Sequence, residues 1–184
     1  MVIDQDLAER FIEQYRDFLL YIHDREIGQD TQSGMLKKLS LARSCYVEAK
    51  ETYDQYIDNS DRYDPEVKSA FKSLDVADWV YIRDTEHFSL FVKSNGSVGL
   101  AVVGLTQPIN DIFGCSGIYM KAGIIQLGGK YVIDGIISDP VKLGEGHKNE
   151  FAYTYNKLKE NGAFFRTPLE VDKKVPSRLI PHPY

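Results

Sequence analysis

The stretch that most restricts this chain is Ile118 to Ile137, where two β-rich runs meet at Gly128-Gly129. A two-residue hairpin turn needs positive φ at its centre, and Gly-Gly supplies it at little steric cost. A turn that short also sets the register, because side chains alternate between the two faces. Leu127 is then expected opposite Lys130, Gly123 opposite Asp134, and Lys121 opposite Ile136. One face collects Ile118, Met120, Ala122, Ile124 and Gln126 with Tyr131, Ile133, Gly135 and Ile137, and reads as core. The other collects Lys121, Gly123, Ile125 and Leu127 with Lys130, Val132, Asp134 and Ile136. That second face is too apolar for water and too charged for a plain core. Something is expected to cover it: a helix, a second subunit or a ligand.

Upstream, strand formers recur from Trp79. Trp79–Arg83 is followed by a turn at 84–87, then by Phe88, Leu90 and Val92 alternating up to Lys93. Asn95-Gly96 is a second hairpin signal. The return strand, Ser97–Leu105, puts Val98, Leu100 and Val102 on one face and Ala101, Val103 and Leu105 on the other. The whole reads as an antiparallel meander of about five strands. Gly99, Gly104, Gly123 and Gly135 lie inside strands, where glycine marks bends, bulges or close backbone approach, so the sheet is expected to curve.

The first 75 residues read as helical. Ala8, Phe11, Tyr15, Phe18 and Ile22 recur at spacings of three and four, with Asp4 or Asp6 as the cap. Met35, Leu39, Ala42, Tyr46, Ala49, Tyr53 and Tyr56 continue such a stripe and suggest a second helix, antiparallel to the first across a short connection. Asp64-Pro65 opens a short third helix with Val67, Ala70, Phe71 and Leu74 inward. After the sheet, a helix over 147–161 places Phe151, Tyr155 and Leu158 on one face and Gly162 at its end. Phe164 and Phe165 read as docking against the sheet, and 168–184 as a surface tail. The fold class expected is α+β in a single domain, with a helical hairpin and short helix on a curved antiparallel sheet.

Charge narrows the function. Residues 1–78 carry 17 acidic and 10 basic side chains, and 79–184 carry 10 and 12, for a net charge of −5. Nucleic-acid binding needs clustered Lys and Arg, which neither half shows. No run approaches the ~20 apolar residues of a membrane span, and the acidic N-terminus does not read as a signal peptide. Cys45 and Cys115 are too few for a disulfide framework or a metal cluster. A cytoplasmic protein without cofactor or metal is the expectation.

The chemistry on offer is sparse. Asp134, on a semi-apolar strand opposite Gly123 and diagonal to Lys121, could be an acid with a raised pKa, or a partner in a structural ion pair. Tyr131 and His147 are its possible helpers. Cys115 in Gly114-Cys-Ser-Gly117 departs from the nucleophile-elbow pattern and precedes a strand. Gly144, Gly146 and Lys148 stand at a helix start, where backbone N–H groups favour an anion, but without nucleotide-loop spacing. His23, His87, His147 and His182 share no ligand spacing. Two functions fit. One is a non-catalytic binding or assembly module that dimerises through the mixed face. The other is an enzyme or sensor with a pocket on the concave sheet, using Asp134 as acid or base.

Overall fold

The computed structural model describes residues 1–28 and 33–170. Helices come first: α1 (Gln5–Glu26), α2 (Met35–Glu48), α3 (Lys50–Asn59) and α4 (Pro65–Lys72). Strands β1 (Asp75–Asp84), β2 (Ser89–Lys93) and β3 (Gly99–Val103) follow, then the short α5 (Ile109–Phe113). Strands β4 (Ile118–Leu127) and β5 (Lys130–Lys142), helix α6 (Glu145–Glu160) and the two-residue β6 (Phe164–Phe165) complete the order. The α+β class expected from the sequence holds, with helices, then sheet, then a closing helix.

Both hairpin signals form as expected. Gly128 and Gly129 have φ of 60° and 69°, and Gly96 has φ of 70° between β2 and β3. Asp4 caps α1 by accepting from the Leu7 N–H at 3.1 Å, and Pro65 opens α4.

The sheet differs from a meander. Its order is β2-β1-β4-β5-β3-β6, and β2 also pairs with β3, so five strands close into a barrel. β3 and β5 are parallel, joined at Val102–Tyr131 and Val103–Val132. Closure follows from a local pattern: β3 pairs with its neighbour β2, and α5 then carries the chain across the barrel end so that β4 returns beside β1. Closing the barrel removes most of the edge that an open sheet would leave unpaired.

The face read as core is the barrel interior. Trp79, Tyr81, Phe91, Leu100, Val102, Met120, Ala122, Ile124, Tyr131 and Ile133 fill it, and Ile109 and Phe113 of α5 close one end. α6 lies outside β2 and β3, with Leu158, Phe151 and Tyr155 packed on Leu90, Val92 and Ala101. Gly99 is required there, because a Cβ would stand 2.9 Å from the Phe164 ring.

The mixed face is covered by the chain's own helices. Ile125, Leu127, Val132 and Ile136 pack with Phe11, Tyr15, Phe18, Leu19, Tyr46 and Phe71. The helical layer is arranged differently from a simple antiparallel pair. Tyr15 and Arg43 meet at Asp134 and Phe18 packs on Tyr46, so α2 advances in the same sense as α1. The antiparallel partner of α1 is the stretch from α3 to α4. Tyr53 donates to Glu26, Tyr56 stacks on Tyr21, Tyr63 packs on Phe18, and Asp64 bonds Gln14. The apolar stripe was legible; its break at Ala49, where ψ is 35° and α2 gives way to α3, was not.

Candidate functional site

Asp134 is placed by a bulge. Ile124 pairs with Ile133, yet Ala122 pairs with Ile137, so Asp134, Gly135 and Ile136 together oppose Gly123. Gly135 has φ of 86°, a conformation that glycine adopts without strain. The Ile136 N–H donates to Asp134 Oδ1 at 3.0 Å, a side-chain turn that holds the bulge. Gly123 makes room opposite it: a Cβ there would meet Asp134 Oδ2 at 2.3 Å and Leu74 Cδ1 at 2.7 Å.

The carboxylate is thereby aimed into the helical layer. Arg43 donates to Asp134 Oδ2 at 2.8 Å and to the Ile136 carbonyl at 2.7 Å. Tyr15 donates to the same Oδ2 at 3.2 Å. Both charged side chains are almost wholly buried, Arg43 at 3% exposure and Asp134 at 0%. Burial pushes the Asp134 carboxyl above its ordinary range, while Arg43, the Ile136 N–H and Tyr15 pull it back. Burial, and then the Asp134 charge, push the Tyr15 hydroxyl well up. Every oxygen of Asp134 has a partner, as a buried charge requires. The group ties α1 and α2 to the barrel at the bulge. It is a clamp; its carboxylate has no surface from which to exchange a proton with a substrate.

Above this clamp lies a cleft of about 410 Å³ between α1, α2, the turn after β3 and the bulge of β5. Phe11, Tyr15, Leu19 and Leu105 make a buried floor. Ile12 (39% exposed), Leu36 (59%) and Ile112 (42%) make an apolar lip. Arg16, Thr106 and Gln107 are the exposed polar residues of the lining. The turn forming one wall depends on Gly104, where a Cβ would stand 1.8 Å from the Gln107 carbonyl oxygen. Met1 and Ile3 brace it by bonding the Gly104 backbone. A second depression, lined by Leu36, Lys37, Ser40, Leu41 and Ile136–Ser138, adjoins across Leu36.

The remaining residues singled out from the sequence do not join this site. Lys121 is exposed and pairs in register with Ser138 and Asp78, because the bulge moves it away from Asp134. The expected Lys121–Asp134 contact is therefore corrected to Arg43–Asp134. Tyr131 faces the barrel interior, the opposite side of β5 from Asp134. Cys115 packs at the capped barrel end. His147 is exposed at the start of α6, beside Glu150. Gly144 is the N-cap of α6 and Gly146 lies in its first turn, but Lys148 pairs with Glu145 at 2.8 Å and lays its stem over Gly117. Of the tyrosines of α2 and α3, Tyr46 and Tyr53 are buried with bonded hydroxyls, and Tyr56 stacks on Tyr21. No group of His, Cys, Asp and Glu among the described residues could hold a metal ion, and no described helix is long and apolar enough to cross a membrane. His182 and the rest of 171–184 lie outside the described residues.

Sequence reasoning missed Arg43 and the cleft. The signal for Arg43 was present: it stands four residues after Leu39 and three before Tyr46, within the apolar stripe. A cation at such a position demands a buried partner. The cleft depends on four segments far apart in sequence and left no local trace. Comparison with family models, with curated proteins and with solved structures yields no match for this chain.

Proposed function

We propose that this protein is a non-catalytic binding module that takes a small, mainly apolar ligand in the cleft between its helical layer and its barrel. The observation that carries the reading is the cleft itself. Its volume, about 410 Å³, lies in the ~300–1,000 Å³ range of ligand pockets. Its floor is buried and apolar, while its lip leaves Ile12, Leu36 and Ile112 in water. Exposed apolar residues gathered around a concavity mark binding surfaces more often than residues scattered singly. The polar clamp beneath supplies rigidity, since a fully satisfied buried network fixes one arrangement of its elements. Binding would then need little reordering of the floor.

An acid–base role for Asp134 finds no support in this geometry, because the carboxylate is enclosed and saturated. Isothermal titration with decanol, a neutral probe matched to an apolar floor, tests the binding reading. Saturable uptake by the wild type, lost in Leu36→Asp, is expected; absence of saturable uptake would sink it. Leu36 is exposed enough that the substitution should change stability by no more than about 0.5 kcal/mol.

A second reading keeps the expectation of a homodimer. Its original motive, an uncovered mixed sheet face, is gone, because α1–α4 cover that face. The exposed Met35, Leu36 and Leu41 of α2 supply another. Sedimentation velocity at micromolar concentration distinguishes the two, since a monomer that still binds decanol leaves the first reading alone.

A further inference from the structure

We infer that the ligand of the cleft carries one negative charge on an apolar body, with the charge seated at Arg16. This deepens the binding reading above and rests on it. Only two residues that line the cleft are charged, Arg16 and Asp134. Asp134 presents no charge to a ligand, since its side chain is wholly buried and its oxygens accept from Arg43, Tyr15 and the Ile136 N–H. The accessible charge of the lining is therefore that of Arg16, whose side chain is half exposed. Its ion pair is with its chain neighbour Asp17 at 3.7 Å, where Asp17 is itself half exposed. A pair of that kind is worth ~0–1 kcal/mol and yields readily to a better acceptor. A guanidinium offers several N–H donors in a planar fork that matches a carboxylate. Lys37 lines the adjoining depression across Leu36.

The floor decides the rest of the ligand. Phe11, Leu19 and Leu105 offer no side-chain polar atom, and the Tyr15 hydroxyl is committed to Asp134. A second charge on the ligand would be driven into this apolar surface without a partner, which is unfavourable. A cationic head would meet Arg16. The class that fits is a monocarboxylate with an unbranched aliphatic or aromatic tail, its head at the rim and its tail toward Leu105.

The test compares three probes of equal tail length on the full chain: decanoate, decanol and decylamine, each below its aggregation limit, by isothermal titration at low salt. Decanoate should bind about tenfold more tightly than decanol, as one charge-assisted contact would give, and decylamine more weakly than either. Arg16→Gln should bring the ratio of decanoate affinity to decanol affinity close to one. Raised salt should erode the same advantage in the wild type. Decanoate no tighter than decanol, or an advantage that survives Arg16→Gln, would overturn the anion assignment while the cleft stands. No saturable binding of any probe would overturn the binding reading beneath it. Thermal unfolding of Arg16→Gln alongside the wild type shows that the variant is folded, so that lost affinity reports the contact.

Discussion

Replacing Arg43 by methionine removes one partner from the buried clamp and keeps most of the side-chain volume. The Asp134 carboxylate would be left with Tyr15 and the Ile136 N–H, and the Ile136 carbonyl would lose its 2.7 Å donor. Breaking a buried pair in this way costs about 3–5 kcal/mol, because an uncompensated charge stays behind. For a chain of this size, at ~2–4 °C per kcal/mol, the melting temperature should fall by about 6–20 °C. Burial already pushes the Asp134 carboxyl up, and loss of Arg43 pushes it further. A carboxyl whose folded pKa lies above its unfolded value of about 3.9 contributes most stability below that value, and the contribution is lost as pH rises through the folded pKa. The penalty of Arg43→Met should therefore grow from pH 4.5 to pH 8. The double variant Arg43→Met/Asp134→Asn should recover part of the loss, since it removes the orphaned charge and keeps an acceptor for the Ile136 N–H. The assay is urea unfolding followed through Trp79, the only tryptophan, which is buried in the barrel. A loss under about 1 kcal/mol, or a double variant whose loss equals the sum of the singles, would refute the clamp.

Other consequences can be checked separately. Gly123→Ala forces a Cβ into the Asp134 carboxylate and Leu74; over-packing of this kind costs ~1–3 kcal/mol, read by urea unfolding. Gly104→Ala drives a Cβ against the Gln107 backbone, so the turn must shift and decanol affinity should fall along with stability. At alkaline pH, burial raises Tyr15, Tyr46, Tyr53, Tyr63 and Tyr81. Their contribution to stability is present below the unfolded value of about 10 and is lost as pH rises toward the folded values. Tyrosinate absorbance should therefore rise in a cooperative step that coincides with loss of far-UV circular dichroism. Gradual ionisation of all twelve tyrosines near pH 10 with the fold intact would contradict their burial.

What the sequence disclosed follows from how local each feature is. The Gly128-Gly129 and Asn95-Gly96 turns, the Asp4 cap and the Asp64-Pro65 start depend on neighbours within a few residues, and all appear where expected. The inward faces of Val98, Leu100 and Val102 and of Phe151, Tyr155 and Leu158 depend only on period, and these too hold. Strand pairing was not legible beyond the hairpins, because nothing within β3 states that it lies parallel to β5. Asp134 was correctly singled out as a charge on an apolar face with Gly123 against it. Its partner was misassigned, because strict alternation put Lys121 nearby. The Asp134-Gly135 dipeptide inside a strand carried the hint of a bulge, and the bulge moves the register by two residues past Gly123.

The central claim is that the cleft above the Arg43–Asp134 clamp is the place where this protein binds its ligand. Methyl-resolved NMR of the intact chain during titration with decanoate tests it most directly. Saturable shifts should appear at Leu36, Leu39, Leu105 and Ile112, while Leu90 of β2 and Leu158 of α6, which pack together outside the barrel, stay still. Shifts centred on Leu90 and Leu158, or none that saturate, would contradict the account.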